Sequence, residues 1–151
     1  MKWALILIGL VQLFFGEFAE AQNAKLLGTW TVEVTFQNGQ NRSLRFEARE
    51  SGKGSFALGA GQKAWVPPQT GEATWTNREG ALVVISGPVQ FPLGNVGIER
   101  GTLMLKGEFG SAGEIFGVAT FSPLDRKPED PTATPLKIGT FKAVRAPVER
   151  R

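Results

Sequence analysis

The chain has 151 residues, a formal net charge of +3 and 42% hydrophobic residues, and it contains no cysteine, histidine or tyrosine. Those absences exclude a disulfide framework, any Ser–His or Cys–His nucleophile pair, an imidazole metal ligand and a phenolic acid. The basic residues are scattered (Arg42, Arg45, Arg49, Arg78, Arg100, Arg126, Arg145), not gathered into the stripe that marks a nucleic-acid face.

Lys2 supplies a short positive start, and Trp3 to Gly16 is apolar except for Gln12. Ala19 and Ala21 then take the small-residue positions that signal peptidase accepts. The apolar run is shorter than the roughly 20 residues a spanning helix needs. Residues 1–21 are therefore expected to be a cleaved signal peptide, with Gln22 as the mature N-terminus. One domain over residues 22–151 would follow, secreted or periplasmic. No cysteine is present to carry a lipid anchor, so no membrane insertion is expected after cleavage.

From Leu26 onward the pattern is short, alternating and broken by glycine. Trp30, Val32, Val34 and Phe36 alternate with Thr31, Glu33 and Thr35, the period of a half-buried strand. Asn38-Gly39 is a strong hairpin signal, and the return strand sets Leu44, Phe46 and Ala48 against Arg45, Glu47 and Arg49. Glu50-Ser51-Gly52 turns the chain into Phe56 and Leu58. Further strands are predicted at Glu72–Asn77, Ala81–Ser86, Thr102–Phe109, Glu114–Phe121 and Ile138–Arg145. No window shows apolar residues at helical spacing. Eight consecutive strands with short turns predict an all-β fold, a single antiparallel up-and-down barrel that closes and so leaves no exposed edges.

Three connections are longer than a hairpin needs. Gly59–Gly71 carries Trp65, Val66, Pro67 and Pro68. Gly87–Gly101 mixes apolar residues with Pro88, Pro92 and glycines, with room for a short irregular strand. Ser122–Lys137 holds four prolines among mixed charges. Long loops on a rigid scaffold carry function disproportionately.

Gly28-Thr29-Trp30 opens the first strand, and Gly139-Thr140-Phe141-Lys142-Ala143-Val144-Arg145 closes the last. These segments resemble the calycin arrangement of lipocalins and avidins, whose first strand begins with a Gly-x-Trp motif. In lipocalins an arginine near the end of the barrel packs across that tryptophan. The resemblance implies that Trp30 plugs one barrel end and that Arg145 lies over its ring. An indole large enough to fill that end, with a planar guanidinium stacked on it, is a sound structural closure. The resemblance also implies a binding module.

Candidate sites follow from these features. Trp65, Val66 and Pro67 in the first long connection, with Trp75 in the strand after it, are the candidate ligand- or partner-binding residues. Glu108 and Glu114 flank one turn, with Glu99 expected near them, and these carboxylates are read as solvated strand ends. Asp125, Glu129 and Asp130 are interrupted by Arg126 and Lys127 and fit no calcium loop. No catalytic residue, cofactor or metal site is expected. Leu82, Val83, Val84 and Ile85 are apolar on both faces, as are Ile115, Phe116, Val118 and Phe121. One set must point outward, either under a covering loop or into a subunit interface such as a homodimer. The expected function is that of an exported, non-enzymatic binding module for a small apolar molecule. The alternative is a protein-interaction module, an inhibitor or envelope assembly factor, that uses the long loops or the outer apolar band.

Overall fold

Period-two alternation places every second side chain on one face of a strand, and in a closed sheet that face is the interior. The computed structural model describes residues 24–58, 71–78, 81–93, 97–124 and 136–147. Its strands are β1 (Gly28–Phe36), β2 (Asn41–Ala48), β3 (Lys53–Leu58), β4 (Gly71–Arg78), β5 (Leu82–Pro92), β6 (Ile98–Phe109), β7 (Ile115–Pro123) and β8 (Lys137–Arg145). Each pairs antiparallel with the next, and β8 returns to β1, so the sheet closes as an up-and-down barrel. In the closing pair Trp30 stands opposite Arg145 and Phe36 opposite Gly139. The barrel therefore has two distinct ends. One holds the start of β1, the end of β8 and the β2–β3, β4–β5 and β6–β7 turns. The other holds the β1–β2 turn, the ends of β3, β5 and β7 and the starts of β4, β6 and β8.

The inward set forms one continuous core. Trp30, Val32, Val34 and Phe36 of β1 pack with Leu44 and Phe46 of β2, Val83, Ile85 and Phe91 of β5, and Leu103 and Leu105 of β6. Side chains of this size contribute about 1.5–3 kcal/mol each when fully buried. Turn chemistry agrees with the sequence. Gly39 takes a φ of +81°, and its N–H donates to Phe36 O at 2.9 Å, closing the first hairpin. Ser51 and Gly52 both have positive φ, +61° and +71°, the hand that suits a tight antiparallel return.

Two features differ from the sequence reading. The Gly87–Gly101 stretch is mostly strand: β5 and β6 run on together from Gly87↔Leu103 to Pro92↔Ile98. The chain also enters the barrel through helical residues 24–26, too few to show a 3.6-residue period. The expected signal peptide lies outside the described residues.

Candidate functional site

The end at which β1 begins is sealed. Leu26 is fully buried, and its carbonyl accepts a hydrogen bond from Trp30 Nε1 at 2.7 Å. The Arg145 guanidinium lies 4.4 Å from the Trp30 ring centroid and donates to the carbonyls of Lys25 and Leu27. Phe109 packs beside the indole, with ring centroids 6.2 Å apart and the rings tilted by 57°. Trp75 belongs to the same end. Its Nε1 reaches Arg49 O and Lys53 O, each at 2.9 Å, so the indole ties β4 to the β2–β3 hairpin. Bonds of this kind satisfy an N–H that burial would otherwise orphan.

The opposite end has a different chemistry. Phe36, Phe91 and Phe121 project inward from the ends of β1, β5 and β7 as an aromatic layer. Phe91 and Phe121 have centroids 5.2 Å apart, and Phe36 lies 6.4 Å from each of them. Strand parity adds charged groups above this layer. Arg42 stands opposite the inward Val34, and Lys137 is the first of the alternating inward positions Lys137, Gly139, Phe141 and Ala143. Glu99 likewise precedes Gly101 and Leu103 by even steps. The Lys137 ammonium lies 2.6 Å from Glu99 Oε2, both side chains being mostly buried. It also donates to Gln40 Oε1 at 2.9 Å and sits about 6 Å above the Phe36 and Phe121 rings.

Arg42 completes the mouth. Its guanidinium carbon is 5.6 Å from the Phe91 centroid, and one Nη donates to Asn41 O at 3.0 Å. The Nε is buried and has no hydrogen-bond partner. The Lys137–Glu99 pair neutralises itself, which leaves Arg42 as the uncompensated charge of the group among the described residues. A partly buried cation beside an aromatic layer attracts an anion more strongly than a solvated one does, because solvent screens it less. Among the described residues, this barrel end holds an aromatic floor, the Arg42 guanidinium and a neutral Lys137–Glu99 ion pair.

Trp65, Val66 and Pro67 lie outside the described residues, between Leu58 and Gly71 in sequence. Trp75 is at the sealed end, away from the mouth. Glu99 is not near Glu108 and Glu114: it sits at the mouth, whereas the other two flank the β6–β7 turn at the sealed end. Arg42, Gln40, Glu99 and Lys137 were missed as site residues by the sequence reading. The parity that sets Leu44, Phe46 and Ala48 on one face, extended two residues outward, finds Arg42, and the same parity on β8 finds Lys137. Comparison with protein-family models, curated proteins and solved structures finds no match for the chain.

Proposed function

We propose that the protein is an exported, non-enzymatic, calycin-like binding module whose Arg42 end receives a small, largely apolar molecule bearing an acidic group. The observation that carries this reading is Arg42: a barrel-facing guanidinium against Phe91 with a buried, unpartnered Nε. An unsatisfied buried donor costs stability, and a ligand acceptor that meets it recovers that loss on binding. The aromatic layer beneath supplies the apolar contact. Support for the calycin likeness comes from the closure of Trp30 by Arg145 over helical residues 24–26. In this reading Trp65, Val66 and Pro67 remain proposed ligand contacts, and Trp75 is a structural residue.

Two measurements test it. Native mass spectrometry of protein purified from its own host should reveal a small organic ligand. Fluorescence titration with anilinonaphthalenesulfonate, an aromatic anion, should show saturable binding that weakens about tenfold in Arg42→Gln, the loss of one charge-assisted hydrogen bond. Host protein that carries no ligand, together with equal probe binding by wild type and Arg42→Gln, would overturn the proposal.

A further inference from the structure

The outer wall over β6, β7 and β8 carries exposed apolar side chains between charged ones. Phe116 and Val118 are 50% and 51% exposed, and Met104 and Ile138 are 46% and 42% exposed. Val83, Ile85, Ile115 and Phe121 face inward and are buried, so the even-numbered set on β6, β7 and β8 is the outward one. Residues 87–92 and 98–101 run within the sheet and do not fold back over this wall.

Register arranges the wall in three rows. Glu108, Phe116 and Lys142 form the first, Lys106, Val118 and Thr140 the second, and Met104, Thr120 and Ile138 the third. In each row the β6 residue lies on one side of β7 and the β8 residue on the other. We propose that this wall is the interface of a homodimer whose two-fold axis runs along β7. Such an axis turns the β6 side of one copy onto the β8 side of the second. Glu108 then meets Lys142 of the second copy, twice per dimer, and Met104 meets Ile138. Phe116 and Val118 meet their own counterparts at the centre, which is the self-complementary pattern of an isologous interface. An axis across the strands is disfavoured by the same rows, because it would set Lys106 against Lys106 and Glu108 against Met104. Glu108 on the β6 edge and Lys142 on the β8 edge select the occupant, a second copy of this chain in a single orientation, in which Lys106 meets the uncharged Thr140. Two convex walls meet over a limited area, so the affinity falls at the weak end, on the order of micromolar.

Sedimentation velocity on the full chain, from micromolar to millimolar concentration, tests the pairing. Wild type should dimerise across that range. Glu108→Lys and Lys142→Glu should each weaken the dimer by more than about tenfold, because each places like charges face to face twice. An equimolar mixture of the two variants should recover a 1:1 heterodimer, since both charged contacts become complementary again. Recovery on mixing also excludes misfolding as the cause of the single-variant losses. Three results would overturn the inference: a wild type still monomeric at millimolar concentration, single variants that dimerise as wild type does, or a mixture no better associated than its components.

Discussion

Gly28 has a φ of +109°, and a Cβ at that position would stand 2.7 Å from a guanidinium nitrogen of Arg145. The first glycine of the Gly-x-Trp motif is thus required twice, by backbone conformation and by the close approach of the arginine that covers Trp30. Gly28→Ala should cost about 1–2 kcal/mol from the backbone alone, and more with Arg145 displaced. Removing the arginine first should reduce the loss. A double-mutant cycle of Gly28→Ala with Arg145→Ala, followed by urea denaturation, would show that coupling, and additive losses would refute the shared contact. Trp30→Ala should cost about 3–5 kcal/mol, as for other buried tryptophans. Arg145→Lys should cost about 1 kcal/mol, because an ammonium neither stacks as a plane nor spans two carbonyls in a fixed fork. Unchanged melting of Arg145→Lys would show that the guanidinium geometry is immaterial.

Glycine and proline in the 87–101 stretch read as loop punctuation, yet the β5–β6 ladder passes through them. The reason lies in packing across the sheet. A Cβ on Gly101 would stand 2.5 Å from the Phe121 ring, and one on Gly87 would stand 2.8 Å from Ala73 Cα. Both glycines admit a close neighbour and neither has positive φ. Pro88 lies beyond Ser86, where the pairing of β5 with β4 ends, so a residue without an N–H is tolerated there. Gly101→Ala should therefore destabilise by about 1–3 kcal/mol through overpacking, read as a lower thermal midpoint. A neutral Gly101→Ala would mean that Phe121 moves freely and that the aromatic floor is not rigid. The β8 strand shows the same rule with charge. Its inward row begins at Lys137 and ends at Arg145, so one strand places a cation over the rings at each end of the barrel. Glu99→Gln should leave the mostly buried Lys137 without its counter-charge and cost about 1–3 kcal/mol, measured by urea denaturation. No loss of stability would show that water replaces the carboxylate.

At the scale of the whole molecule, closure depends on β1 meeting β8, whose paired residues Trp30 and Arg145 stand at opposite ends of the described sequence. Barrels built on such distant pairings fold slowly, in about milliseconds to seconds. Stopped-flow refolding followed by tryptophan fluorescence should fall in that range, and microsecond folding would contradict a closure-limited route. Export is a separate expectation. N-terminal sequencing of protein recovered outside the cytoplasm should begin at Gln22, and an intact Met1 in that fraction would refute cleavage after Ala21.

Alternation, turn glycines and spacing determined strand number, strand order and the identity of most core residues, because a side chain's face depends only on local parity. The closing contact of Trp30 with Arg145 was also expected, on the resemblance of the two end motifs to the calycin arrangement. Tertiary structure decided the rest. Only the closed register shows that Arg42, Glu99 and Lys137 converge over Phe36, Phe91 and Phe121, because these residues come from different strands and no local pattern encodes their distance. Trp75 reads from sequence as a companion of Trp65, yet the stagger of β4 against the β2–β3 hairpin carries it to the sealed end. The two-sided apolar strands left the outer wall ambiguous, and burial of Val83, Ile85, Ile115 and Phe121 resolved it: a strand can present only one face to the interior, and the interior selects the face that packs.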